Sequence, residues 1–301
     1  MRFVDGPVAA SVPASSANLG PGFDTLGLAV GVLDGLGAEV VDGPLQILVE
    51  GEGAEDVPRD ERHLVHRAMV AAFTEMVCEA PGLRLVCSNL IPHARGLGSS
   101  SAAIVGGIVL ARALVEDGRS LLDEEAALAL ATRLEGHPDN VAPALLGGLT
   151  VSVTQDDGRI RVARLQPDPE IAGVVYVPPD PLSTEVARGL LPDVVPHADA
   201  AANAGRAALL VTALTGRADL LLPATEDRLH QQQRRPAMPD SMALVDALRA
   251  DGVAAVVSGA GPSVLALVRD RDVEEAAARL PAGWTLRTPD IGVPGASVEV
   301  G

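Results

Sequence analysis

Hydrophobic and polar positions along the first ninety residues point to short strands broken by small-residue loops. "VAASVPAS", Val8 to Ser15, reads as an extended run that ends in a Pro/Ser/Asn/Gly loop, "PASSANLGPGFD", and "TLGLAVGVLD" resumes behind it as an apolar strand. "LQILVEG", Leu45 to Gly51, alternates as another strand, which suggests an early sheet rich in hairpins. In "ERHLVHRAMVAAFTEMV" the apolar residues Leu64, Ala68, Ala71, Ala72 and Met76 recur with near-helical spacing, and this predicts the first amphipathic helix. "GLRLVCSNLI" is a strand that runs into a glycine-rich loop, and "SSAAIVGGIVLARALVED" behind the loop has the composition of a buried helix. "DEEAALALATRLEG" predicts a helix capped by Asp123 and stopped by Gly136, with acidic residues at its positive end. "GGLTVSVTQDDGRIRVARL" predicts a hairpin turning at "DDG".

Beyond "QPDPE" come the strand "IAGVVYVP", helices in "ADAAANAGRAALLVTALTG" and "SMALVDALRADG", the strands "AAVVSGAG" and "SVLALVRD", and the helix "DVEEAAARL". The blocks lack regular βαβ alternation, so the pattern predicts an α+β protein. Its length of 301 residues exceeds the usual limit of one hydrophobic core, and a boundary near residues 155 to 168 gives two domains, 1–160 and 161–301.

Composition narrows the function. Aromatic residues are 2% of the chain, so the core must be built from Ala, Val, Leu and Ile. A net charge of −17 opposes binding to nucleic acid or to an anionic membrane surface. All 23 basic residues are Arg, which removes Walker-type phosphate loops, kinase-type lysines and Schiff-base chemistry together. Cys78 and Cys87 are too few for a disulfide scaffold or a zinc cage. With no apolar run near the ~20 residues of a membrane span and no signal-like start, a soluble, cytoplasmic protein is expected.

The candidate chemistry lies in "PHARGLGSSSAA". Pro92, His93, Ala94 and Arg95 enter the loop, Gly96, Leu97 and Gly98 turn it, and Ser99, Ser100, Ser101 and Ala102 open the helix. Free backbone N–H groups and hydroxyls converge there at a positive helix end, a geometry suited to phosphate oxygens. Arg95 could add a cation, and a serine hydroxyl is a reasonable magnesium ligand beside phosphate. Taken alone, such a loop is more often a glycine turn with a serine cap.

Two further stretches change that balance. "PASSANLGPGFDTLGLA" and "SGAGPSVLAL" stand in the order of the first and third motifs of the GHMP kinases, and "GLGSS" resembles the second. The resemblance spans nearly the whole chain. It implies a two-domain fold, with a domain like ribosomal protein S5 domain 2 followed by a ferredoxin-like domain, and ATP and substrate between them. Gly259 and Gly261 of the third motif would support the phosphate loop. "EGHPDNVAPALLGG" is similar to the branch of the family that phosphorylates L-homoserine on the route to threonine. A mevalonate-type member should carry a lysine in the first motif and an aspartate in place of Asn140.

By that resemblance Asn18 and Asp24 contact the amino acid, Asp24 through its ammonium, while Arg188 and Arg234 bind its carboxylate. Adjacent Arg235 competes with Arg234, because Gln232 and Gln233 stand where the family usually has Pro-Tyr. Asn140 would orient the hydroxyl without acting as a base, and Arg188 would also steady the transferred phosphoryl group. Ser99 and Glu135 would hold Mg2+, with Asp139 the second choice, and His63 would contact adenine. The resemblance also allows a homodimer. The alternatives are another small-molecule kinase of the mevalonate-pathway type and a non-catalytic nucleotide-binding regulator.

Overall fold

In the computed structural model, which describes residues 1–300, β1 (Val8–Ala17) pairs antiparallel with β2 (Leu26–Val40). The strand runs deeper into the first motif than the expected loop at Pro13. The register shifts between Pro13 and Ala14, and pairing then resumes from Ala14 to Ala17. A shift of this kind accommodates a residue without an N–H, so the proline bends the strand and does not end it. β3 (Gln46–Gly51) pairs parallel with β4 (Leu83–Asn89), a crossover through the predicted helix α1 (Leu64–Glu75).

The chain continues through α2 (Ser99–Leu114), α3 (Gly118–Leu121), α4 (Glu124–Glu135) and α5 (Pro138–Leu146) to β5 (Leu149–Thr154) and β6 (Ile160–Leu165). The last two form the predicted hairpin. Asp123 caps α4 by accepting from Ala126 N, and Gly136 ends it in the left-handed region, as the sequence indicates. α5 was not anticipated. Pro138 opens it at a position where the missing N–H costs nothing, but the internal Pro143 hides its helical character in the sequence.

β7 (Ile171–Val177), α6 (Thr184–Arg188), α7 (His197–Leu214), α8 (Leu221–Ala224), α9 (Gln231–Arg234), α10 (Pro239–Ala250), β8 (Ala254–Val257), β9 (Val264–Arg269), α11 (Val273–Ala277), β10 (Thr285–Arg287) and β11 (Ser297–Val300) complete the chain. One sheet follows the order β11-β1-β2-β4-β3, with β5 joined to β2 and β6; the other is antiparallel in the order β10-β7-β9-β8. The expected division at 160/161 falls at the start of β6, which stays in the first sheet, and β11 returns to that sheet beside β1.

The near-continuous apolar runs of β7, β8 and β9 are explained by burial on both faces. Val174, Tyr176, Ala255, Val257, Val264 and Ala266 pack against Met242, Val245 and Leu248 of α10. Val175, Val177, Val256, Leu265 and Leu267 belong to a core that includes Leu210 and Leu214 of α7 and extends under the first sheet. Both halves are thereby fixed around the cavity between them.

Candidate active site

A cavity of about 410 Å3 is lined by the first motif, the glycine loop, the segment around Asn140, the α6 region and the third motif. Hydrogen bonds to backbone carbonyls lace the three motifs together. Ser15 N donates to Leu97 O at 3.0 Å, Gly259 N donates to Ala17 O at 3.0 Å, and Ser258 Oγ donates to Gly96 O at 2.6 Å. Gly96 has φ +72°, and a Cβ there would stand 2.3 Å from Ser258 O, so no side chain fits. Gly98, at φ +70°, begins α2 without a side-chain cap. The free N–H groups of that first turn stand beside the cavity wall at Ser99 and Ser100, an arrangement suited to an anion.

Not every residue of the expected nucleotide site faces the cavity. Pro92 to Ser100 line it, whereas Ser101 and Ala102 are fully buried on the core side of α2 and stand outside the lining. Arg95 does not extend its charge over the loop. Its guanidinium donates to Pro178 O and His93 O, each at 3.0 Å, and to Pro179 O, tying the loop to the segment after β7. His63 is on the wall beside Val57, Pro58 and Val65; it is 5% exposed, and its Nδ1 has no partner. Burial, helped by His66 and His93, holds its pKa below the ordinary value, so the ring there is neutral.

Sequence reasoning passed over Asp34, which is hidden inside a strand pattern. Its Oδ1 accepts from Leu90 N at 2.7 Å and Ile91 N at 2.9 Å, fixing the end of β4 where the loop begins. Burial raises its pKa against the opposing effect of those two bonds.

In the first motif, Asn18 Nδ2 donates to Gly259 O at 2.8 Å and Asn18 Oδ1 accepts from Asp24 N at 3.0 Å. Both residues have positive φ, 67° and 52°, which holds the loop in a tight fold. Asp24 is bound by Arg188 in a two-bond pair and lies just behind the cavity wall that Arg188 lines. Arg234 is 1% exposed and also lines the cavity, while Arg235 pairs with Asp246 at 2.8 Å away from it. Burial, with Arg188 nearby, lowers the Arg234 pKa to about 10. Phe23, the other omission of the sequence reading, carries both guanidinium groups on its ring, at 5.7 Å for Arg188 and 5.5 Å for Arg234.

Asn140 also lines the cavity, its Oδ1 accepting from Ser15 Oγ at 2.9 Å. Three residues before it, His137 Nδ1 stands 2.6 Å from Oδ1 of the buried Asp139. Burial opposes charging of His137, but the hydrogen bond and charge of Asp139 outweigh it and raise the pKa. Asp139 is thus occupied. Glu135 Oε1 accepts from Ser100 Oγ and Ser101 Oγ, each at 2.8 Å, so the expected carboxylate does meet serine hydroxyls, although the partners are the two after Ser99. No group of three or more His, Cys, Asp or Glu suited to a metal exists among the described residues. A single carboxylate beside hydroxyls still fits Mg2+, which takes few protein ligands and completes its shell with water and phosphate oxygens.

Comparison with known proteins gives the family. The family model for the GHMP kinase N-terminal domain matches residues 63–148, and that for the C-terminal domain matches residues 200–285. The chain is 57% identical to a homoserine kinase of Streptomyces avermitilis over 95% of this chain and 94% of that one. It is 55% identical to a homoserine kinase of Streptomyces coelicolor over 95% and 93%. In fold it matches the crystal structure of homoserine kinase from Cytophaga hutchinsonii with a TM-score of 0.84 at 23% identity, covering 99% of each chain. The chain belongs to the GHMP kinase family, within its homoserine kinase branch. Among the described residues no helix is long and apolar enough to cross a membrane.

Proposed function

We propose that the protein transfers the γ-phosphoryl group of ATP to the side-chain hydroxyl of L-homoserine, giving O-phospho-L-homoserine and ADP. The observation that carries this reading is one cavity lined by the uncapped start of α2, Asn140, Arg188 and Arg234, with the Asp24 carboxylate paired to Arg188. An amino acid that carries its own ammonium and carboxylate matches Asp24 and the two guanidinium groups by charge-assisted hydrogen bonds.

Phosphoryl transfer has a loose transition state, so positioning and charge neutralisation supply most of the rate. The α2 amides and loop hydroxyls would hold phosphate oxygens, and the cavity around His63 would take the base. Asn140, fixed through its Oδ1 by Ser15, is a neutral amide and orients the acceptor hydroxyl without removing its proton as a strong base would. Arg188, which lines the cavity, would steady charge on the transferred group. Glu135 with the serine hydroxyls would hold Mg2+, which when bound supplies charge neutralisation between phosphate oxygens.

An ADP-release assay with homoserine, serine, mevalonate and galactose tests the assignment. Homoserine should have the highest kcat/KM; faster turnover of mevalonate or galactose would overturn it. Nucleotide binding by calorimetry with no turnover of any alcohol would favour a regulator.

A further inference from the structure

Arg234 is a buried cation whose hydrogen bonds all go to uncharged atoms. Its Nε donates to Ala187 O at 3.3 Å, and its Nη1 donates to Gly259 O at 3.4 Å and to His230 Nδ1 at 3.0 Å. A guanidinium can only donate, so His230 Nδ1 must be the acceptor and the ring proton resides on Nε2. Nε2–H in turn donates to Gly20 O at 2.8 Å. His230 is fully buried and lies against Phe23, with ring centroids 5.3 Å apart. The nearest carboxylate, Asp227, stands 3.7 Å from Nε2, but its oxygens are used by the backbone N–H groups of Leu229, His230 and Gln231.

The choice of acceptor matters. A carboxylate at position 230 would orient Arg234 equally well, but it would neutralise the charge and compete with any incoming anion. A neutral imidazole orients the fork and leaves its charge free, at the expense of a buried cation that remains unanswered until a ligand arrives. Burial lowers the pKa of His230, with Arg234 adding to the effect and Asp227 opposing it, which keeps the ring in the accepting form.

We propose that His230 is a positioning residue for recognition of the substrate carboxylate: held by Gly20 O and Phe23, it aims Arg234 beside Arg188 without quenching its charge. The inference rests on the homoserine reading of this site. His230 itself does not line the cavity. Arg234 and Arg188 are further coupled because Ala187, whose carbonyl accepts from Arg234, immediately precedes Arg188.

Two substitutions separate the roles of the two ring nitrogens. His230→Asn keeps an acceptor near the Nδ1 position, whereas His230→Gln places its amide near Nε2 and loses the acceptor toward Arg234. Steady-state kinetics with L-homoserine and with L-homoserinol, which lacks the carboxylate, supply the readout. The Asn variant should keep its homoserine KM within about 3-fold of the wild type, while the Gln variant should raise it about 10-fold or more with the ATP KM unchanged. The wild-type preference for homoserine over homoserinol should shrink by the same factor in the Gln variant. Equal KM values for the two variants, or equal losses on both substrates, would overturn the proposal and leave His230 a packing residue. Should the Gln variant fail to fold, His230→Leu, which removes the acceptor toward Arg234, must reduce the same preference; an unchanged preference there counts equally against it. Absence of homoserine turnover by the wild type would instead overturn the assignment of the site.

Discussion

Asp24 and Arg188 hold each other through two parallel hydrogen bonds, 2.7 Å from Nη2 to Oδ1 and 3.2 Å from Nη1 to Oδ2. The sequence reading gave them opposite ends of the substrate. In the free protein the carboxylate and the guanidinium each serve as the other's counterion, and the bond to Asp24 raises the Arg188 pKa. A zwitterionic amino acid can enter such a pair and leave the total charge balanced, each protein group exchanging one ionic partner for another.

This pairing gives an energetic expectation. Asp24→Asn and Arg188→Met should each raise the homoserine KM by about 10- to 100-fold, the range expected for a charged hydrogen bond of roughly 1.5 to 3 kcal/mol. Because the residues are partners, the double variant should lose less than the product of the single losses. A double-mutant cycle on kcat/KM measures the difference, and strictly multiplicative losses would show that the pair is not coupled in function.

Ser15 links the phosphate loop to the acceptor wall. Its N–H donates to Leu97 O, its Oγ donates to Asn140 Oδ1, and a Cβ on Gly98 would stand 2.1 Å from that Oγ. Ser15→Ala should lower kcat by about 2- to 12-fold, the cost of one neutral hydrogen bond of ~0.5 to 1.5 kcal/mol, with little change in the ATP KM. Gly98→Ala should be far worse, since it meets Ser15, approaches Asn140 Oδ1 within 3.2 Å, and adopts a left-handed φ. Single-turnover rates of the two variants test this order.

Glu135 receives two serine hydroxyls at the start of α2, with no arginine or histidine hydrogen-bonded to it. Glu135→Gln keeps the shape of the side chain and removes its charge. Activity should then require about tenfold more Mg2+, the scale of losing one charged ligand bond of ~1.4 kcal/mol. A magnesium titration at saturating ATP decides it, and an unchanged half-saturation point would remove Glu135 from the metal site.

The three motifs and most elements were legible because each has a local cause: glycines that must turn, caps that must accept, and apolar periods that must be buried. Long-range pairings left weaker traces. Nothing near Ser297 announces that β11 joins β1, and Pro143 disguises α5. The direction of charged side chains was least legible. Arg95 and Arg234 both come from suggestive segments, yet one is spent on backbone carbonyls and the other is aimed at the cavity. Arg235, the first residue after α9, opens a 3-10 turn and points to Asp246. Phe23 read as one aromatic in a loop, and its role emerges only when α6 and α9 arrive above it.

The buried state of His230 should also be visible in stability. Burial lowers its folded pKa below the ordinary 6.5, so in acid the unfolded chain takes up a proton that the native protein resists. The unfolded state then binds more protons, and stability increases with pH across the window between the folded pKa and 6.5. Well above that window the ring is neutral in both states and contributes no slope; as pH falls through it, stability is lost at up to about 1.4 kcal/mol per pH unit. His230→Asn has no such titration, while every other ionisable group is common to both proteins. Thermal melts across a range from neutral to mildly acidic pH should therefore show a steeper fall in Tm for the wild type than for the variant. Parallel curves would mean that His230 accepts a proton in the native state, and with it that Arg234 has lost its acceptor.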